Sequence, residues 1–375
     1  MRVALVCDWF LPRVGGIELH LRDLALAMRT EGIDARIVTT TRGAAEIDGV
    51  PVHRVPAALA PSGFAFMPSA LAAVGRVIEY EQFDVVHAHA SVVSPVAYAG
   101  AIAATRAGMP AVLTFHSMLH RSALLLGASE TLTGWSSRIL LSAVSSVVAG
   151  QAVRWMPEAS VGVLPNGIDA AFWRAPVAGA APSADVHFVS AMRLSRKKRP
   201  LALVRAFAEA HRFVAGSPNL RLTIAGDGPE REAIARLAAE LGVADRVTLT
   251  GQLTREALRA LYARAHVFVL PSERESFGIA ALEARAAGLP VVAMLASGAR
   301  DFITVGVNGF LARDHAELAR FMTRLAVEAP LRTFIAHRNA SDPPPHDWRA
   351  LVAEHRRFYD AATVLRDGRN RASQR

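Results

Sequence analysis

The chain has 375 residues, 52% hydrophobic and 20% charged, with a formal net charge of +9. That profile excludes a disordered chain and leaves room for two hydrophobic cores, while a single cysteine, Cys7, excludes an internal disulfide and points to a reducing compartment. The positive excess lies wholly in residues 176–375, with 29 basic and 20 acidic residues, yet no zinc-finger, RNA-binding or recognition-helix pattern accompanies it, so an anionic small ligand or membrane surface fits and nucleic acid does not.

In chain order, RVALVCD (2–8), DARIVTT (34–40), DVVHAHA (84–90), PAVLTFH (110–116), SSVVAG (145–150) and SVGVLPN (160–166) read as buried strands. Amphipathic stretches lie between several of them, the clearest being IELHLRDLALAMRTEG (17–32), closed by Gly32. Strand–helix alternation of this kind predicts an α/β fold with a parallel sheet covered on both faces. The opening MRVALVCDWF has too short an apolar run for a signal peptide, and Pro and His interrupt the uncharged runs that could otherwise cross a membrane. Residues 170–184, rich in Ala, Pro and Gly, read as a linker. The rhythm then restarts through DVHFVSAMRL, PLALVRAFAEAHRF, LRLTIAG, REAIARLAAELG, RVTLTG, REALRALYARA, HVFVLPS, a helix from about Gly278, and PVVAML. The expected domains are 1–169 and 185–340, with a C-terminal helix over about 349–375 able to pack back on the first.

Ligands of such sheets bind beyond the carboxyl ends of the strands. After the first strand, Gly15 and Gly16 precede a helix. They suit close approach of a phosphate or a plain tight turn. His87, His89 and His116 fall at successive strand ends, where imidazoles serve either as core groups or as partners of sugar hydroxyls on a cleft floor. No nearby acid or Cys completes a metal set with them. Lys197 and Lys198 are the only lysines and stand beside Arg193, as a phosphate grip or a solvated basic turn. AGDGPER (225–231) fails as a dinucleotide fingerprint, because Arg231 stands where a third Gly belongs.

The stretch ERESFGIAALEA (273–284) carries Glu275 in a loop and Glu283 inside the helix that follows. The backbone N–H groups of Ser276, Phe277, Gly278 and Ile279 at that helix start form an anion site. Each carboxylate can accept two hydroxyl donors, which matches a vicinal diol, although a solvated helix face and a cap explain the same two residues.

The span FVLPSERESFGIAALEARAAGLPVVA resembles the signature of retaining GT-B glycosyltransferases of the family 4 type, also called glycosyl transferases group 1. VGGIELHLRDLALAMRTEG, DVVHAH, LTFHS, LPNGIDAAFW, MRLSRKKRP, IAGDGPER, RVTLTGQL and VGVNGFLA are similar to further family segments and occur in the family's order. The resemblance implies two Rossmann-like domains facing a cleft, with the donor on the C-terminal domain and a hydroxyl acceptor on the N-terminal one. It implies a hexose, such as mannose or glucose, carried by UDP or GDP. Carried over by motif, Glu283 binds the donor ribose, Glu275 the transferred sugar, and Arg193 and Lys198 the diphosphate. Gly16 meets the phosphate, His116 contacts the sugar near the reacting carbon, and Asn166 is structural or near the base. The family needs no metal or other cofactor and favours front-side attack, with the leaving phosphate accepting the acceptor's proton.

Two departures stand out. ASGARDF (296–302) replaces the family's Gly-Gly-x-Pro-Glu, which bears on the choice of donor, and the usual Gly after Lys198 is missing. A nucleotide-sugar epimerase or hydrolase and a non-catalytic nucleotide-sugar-binding protein are the alternatives. A cytoplasmic location is expected, extending to the inner membrane face. A peripheral membrane contact is not favoured, because residues 1–175 carry 13 basic and 13 acidic residues and are electrically neutral.

Overall fold

The computed structural model describes residues 1–60, 62–119, 123–174, 185–215 and 219–373. The chain divides into two compact units, residues 1–167 with 346–375 and residues 168–345. Each unit is built on its own sheet.

The first unit contains β1 (Arg2–Cys7), β2 (Asp34–Thr39), β3 (Glu46–Ile47), β4 (Val50–Arg54), β5 (Val85–Ala90), β6 (Ala111–Phe115), β7 (Leu140–Ala143) and β8 (Val161–Val163). They lie in the order β3-β4-β2-β1-β5-β6-β7-β8, and every pair is parallel except β3 with β4. The strand order reverses direction between β1 and β5, which is where an open α/β sheet leaves a crevice. β1, β5 and β6 are nearly continuous apolar runs, as expected of strands covered on both faces. Helix Gly16–Thr30 covers the sheet through Leu21, Leu24 and Met28, and the C-terminal helix Trp348–Ser373 adds Val352 and Tyr359 to the same core. Each fully buried side chain of this kind stabilises the fold by roughly 1.5–3 kcal/mol.

The second unit contains β9 (Asp185–Ala191), β10 (Asn219–Ala225), β11 (Val247–Gly251), β12 (Val267–Leu270), β13 (Val291–Met294) and β14 (Gly309–Ala312). Their order is β11-β10-β9-β12-β13-β14, all parallel, so this sheet reverses between β9 and β12. Its core packs Phe188 and Ile224 of the sheet against Leu203 and Phe207 of helix Pro200–Val214 and Met322 of helix His315–Val327. Thr254 and Asp314 cap helices Arg255–Tyr262 and His315–Val327 by accepting the N–H groups of Ala257 and Glu317 at 3.2 and 2.7 Å.

Two local readings change. SSVVAG is not a strand. Ser145 accepts the N–H of Val148 at 3.3 Å and starts helix Ser146–Trp155, while the strand is the preceding LLSA of β7. The stretch read as a linker begins with helix Ala170–Trp173, whose Trp173 is fully buried and 5.7 Å from the Tyr262 ring in the second unit. The rest of that stretch, 175–184, lies outside the described residues. Among the described residues, no helix is long and apolar enough to cross a membrane.

Candidate active site

In the second unit, the residues that follow β9 and β12 meet where the strand order reverses. Past β9 the backbone is clamped. Met192 N–H donates to Ala225 O and Leu194 N–H to Asp227 O, both at 2.9 Å. A Cβ at Gly226 would lie 1.9 Å from Met192 O, and one at Gly228 2.5 Å from Leu194 O. The AGDGPER glycines therefore serve close backbone packing, and the segment they hold presents Arg193 at the surface. The Arg193 guanidinium has no hydrogen bond or ion pair among the described residues.

The chain then turns through Arg196–Lys198 into Arg199, which has φ +57° and ψ 40°. Arg199 thus takes the left-handed conformation that glycine adopts at lowest cost, so the turn forms without the missing glycine. Its guanidinium lies 3.5 Å from Glu273, which also meets Nδ1 of His315 at 3.5 Å. Past β12, Ser272 Oγ donates to Lys197 O at 3.3 Å and ties the two loops together. Lys198 Nζ donates directly to Oε2 of Glu275. The lysine side chain is 28% exposed and the glutamate 13%, so the pair is shielded but reachable.

Glu275 is held from its other side. Its carbonyl accepts the N–H of Gly298 at 2.8 Å, and a Cβ at Gly298 would lie 2.1 Å from Ser276 O. ASGARDF thus braces the glutamate loop through backbone. Gly298→Ala is expected to force Ser276 and Glu275 apart from this loop and to destabilise the unit by about 1–3 kcal/mol. Urea unfolding reads that loss, and unchanged stability would refute the bracing role. Gly278, with φ +97°, caps helix Ile279–Ala286, and Phe277 is buried 5.4 Å from the Phe302 ring. Glu283 lies half-buried on that helix near Tyr262. Burial, and then the Glu283 charge, raise the pKa of the Tyr262 hydroxyl well above its ordinary value. Glu275 and Glu283 belong to one loop–helix segment, with Lys198 at its loop end.

In the first unit the glycine pair divides its work. A Cβ at Gly15 would lie 2.3 Å from Oε2 of Glu18, so Gly15 makes room for that carboxylate, whereas Gly16 opens helix Gly16–Thr30 and has nothing within 4 Å of its Cβ direction. Glu18 is buried. Burial raises its pKa, opposed by its own backbone N–H and by Arg13, 3.7 Å away.

The three histidines expected on a cleft floor separate. His87 is 0% exposed, and both ring nitrogens are engaged, Nδ1 with the Tyr359 hydroxyl at 3.0 Å and Nε2 with Thr114 Oγ1 at 2.7 Å. It is a core residue with no nitrogen left for a sugar, which corrects the reading of His87 as an acceptor contact. His89 Nδ1 lies 2.9 Å from His116 Nε2, while His89 Nε2 is buried without a partner among the described residues. His116 Nδ1 has no hydrogen-bond partner among the described residues. Burial pushes the pKa of His116 down to about 3 and that of His89 well below its ordinary value, so both rings are neutral near pH 7. Asn166 is buried next to Gly167, and its Oδ1 is likewise unpartnered.

Three residues escaped the sequence reading. His20 and His355 complete a buried histidine cluster, with His20 5.6 Å from the His116 ring and His355 5.6 Å from the His87 ring. Their helical spacing with Leu24 and with Leu351 and Tyr359 was the available signal. Asp8, directly after β1, accepts the N–H groups of Val96 and Ala97 at 3.1 and 3.4 Å and fills the start of helix Pro95–Arg106, with its pKa raised to about 6 chiefly by burial. Among the described residues, no group of three or more His, Cys, Asp or Glu side chains is placed to hold a metal ion.

Residues 14–172 match the family described as Glycosyltransferase Family 4, and residues 173–336 match Glycosyl transferases group 1. The chain is 30% identical to the GDP-mannose-dependent alpha-mannosyltransferase of Mycolicibacterium smegmatis, over 83% of this chain and 84% of that protein. It is 29% identical to the D-inositol 3-phosphate glycosyltransferase of Stackebrandtia nassauensis, over 86% of this chain and 81% of that protein. The crystal structure of Anabaena HepE in complex with UDP and glucose matches with a TM-score of 0.74 at 21% identity, covering 96% of this chain and 99% of that one.

Proposed function

This chain belongs to the family 4 glycosyltransferases of the GT-B fold, and from that premise we propose that it transfers a hexose, glucose or mannose, from UDP or GDP to a hydroxyl acceptor with retention of configuration and without a metal. The observation that carries the reading is the Lys198–Glu275 contact at the reversal between β9 and β12, with Arg193 exposed earlier on the segment that leads to Lys198. An ammonium has three N–H donors, so Lys198 can keep Glu275 and still bond a phosphate oxygen. Glu275 then accepts hydroxyls of the transferred sugar, and Glu283 those of the ribose. Ser276, Phe277, Gly278 and Ile279 lie between them against the donor.

The chemistry asks for stabilisation of a departing nucleoside diphosphate. As the bond from C1 to the phosphate oxygen breaks, negative charge gathers on the diphosphate, and Lys198 and Arg193 bear the opposite charge. The acceptor oxygen forms its bond to C1 on the same face, and its proton passes to the leaving phosphate oxygen. The family resemblance assigns neutral His116 to the sugar and Gly16, at a helix start, to the phosphate. The nucleotides named for the relatives, GDP for the mannosyltransferase and UDP for HepE, support the choice of these two carriers.

A thermal-shift panel of UDP, GDP, ADP and their sugars tests the reading. The true carrier is expected to raise the Tm, since a ligand at one hundred times its Kd stabilises by about 2.7 kcal/mol. No shift with any of them would sink the proposal. With the donor known, release of free sugar in every acceptor mixture would mark a hydrolase instead.

A further inference from the structure

We propose that His89 is a positioning residue: it donates its Nδ1 proton to Nε2 of His116 and so fixes His116 in the tautomer that presents Nδ1–H to the donor sugar. The role toward the sugar rests on the donor reading above, whereas the tautomer assignment stands on the geometry alone.

A neutral imidazole has one donor and one acceptor nitrogen, so the 2.9 Å contact admits two arrangements. If His116 donated from Nε2, His89 would accept at Nδ1 and would have to carry its own proton on Nε2. That nitrogen is buried and has no partner among the described residues. A buried N–H left unpaired is the rarer and costlier defect, while a buried lone pair is tolerated better. With the proton on His89 Nδ1, Nε2 keeps only a lone pair, and His116 must be protonated at Nδ1. His89 is itself held in place: its ring lies tilted by 32° against that of His87 with centroids 4.0 Å apart, and His87 is locked by Tyr359 and Thr114, which in turn meets Ser142 Oγ at 2.6 Å. The order therefore runs from the core outward, from Tyr359 and Thr114 through His87 and His89 to His116. Burial keeps the two outer rings neutral, so the donor from His116 is an uncharged N–H.

The test labels the imidazole nitrogens with 15N in the full chain and reads each histidine's tautomer by long-range 1H–15N correlation, where protonated and unprotonated ring nitrogens are well separated. The expected result is protonated Nδ1 and bare Nε2 on both His89 and His116. A protonated Nε2 on either overturns the proposal. His89→Leu removes the donor and is expected to give His116 mixed tautomers. It should also lower kcat about ten- to a hundredfold, with little change in KM, for release of UDP from UDP-glucose or GDP from GDP-mannose. His89→Asn keeps an N–H near the Nδ1 position and is expected to recover most of that loss. A His89→Leu enzyme with the wild-type His116 spectrum and wild-type kcat overturns the proposal, and if that variant fails to fold the wild-type spectrum decides. The expected spectrum without wild-type turnover on either donor overturns the role toward the sugar together with the donor reading, and leaves the tautomer assignment standing.

Discussion

Lys198→Ala is expected to slow donor turnover by about 10²–10³-fold, the usual loss when one preorganised group facing a developing anion is removed. Two effects combine. The leaving diphosphate loses a cation, and Glu275 loses the partner that aims it. Because Nζ and the carboxylate touch, Lys198→Ala and Glu275→Ala are expected to couple, so that the double variant falls far short of the product of the two single losses. Lys198→Arg is not a rescue, since a flat fork replaces a compact ammonium with three rotatable donors. Lys197, exposed and without an ion pair among the described residues, serves as the control, and its alanine variant is expected to keep turnover. Steady-state release of UDP or GDP measures all five variants, and an unimpaired Lys198→Ala enzyme would remove the basis of the proposed chemistry.

Acid is expected to unfold the first unit well above the pH at which carboxylates ordinarily protonate. Burial drives the pKa of His116 down to about 3, that of His355 to about 4, and those of His20, His87 and His89 well below their ordinary value. In the unfolded chain these rings take up protons near pH 6.5. Between that pH and the lowered folded values the unfolded state binds more protons, so stability present above pH 6.5 is lost as the pH falls. From pH 6.5 to 5, His116 and His355 together account for a loss of about 3 kcal/mol. Asp8 acts in the opposite sense, because its carboxyl is held up to about 6 and protonates first in the folded state, offsetting about 1 kcal/mol. Glu18 adds to that offset, and His20, His87 and His89 add to the loss. Against a typical total of about 5–15 kcal/mol, the net change is large. Trp9, Trp135, Trp155 and Trp348 all belong to this unit, so tryptophan fluorescence in urea reports on it. A denaturation midpoint that stays level from pH 7 to 5 would contradict the account.

Much of the architecture was legible because its strands are rich in apolar and β-branched residues, as buried, largely apolar runs in β1, β5, β6, β12 and β13 and with polar residues interspersed in β2, β9, β10 and the partly exposed β11. Short elements with weak apolar runs were not, as β4, β7 and β14 illustrate. SSVVAG misled because two valines suggest a strand, while the serine before them supplies an oxygen to the first free N–H groups of a helix. At the site, the two glutamates and the two lysines were visible as unusual placements, but their meeting was not. Lys198 and Glu275 are 77 residues apart and come together because β9 and β12 are neighbours. The histidines show the same limit. His87 and His89, two residues apart on one strand, must share a face. That the face would be roofed by Tyr359 and His355, from a helix more than 250 residues later, is not written locally.

The Trp348–Ser373 helix, which closes the first core from the far end of the chain, has a consequence for biosynthesis. A ribosome delivers β1 to β8 early, yet Val3, Leu5 and His87 wait for Val352, Tyr359 and His355 before their surface is sealed. The later-made second unit has all its elements available before that helix is made. The half synthesised at the outset is therefore the half that matures last, and a chain stopped at residue 345 leaves its oldest hydrophobic surface open.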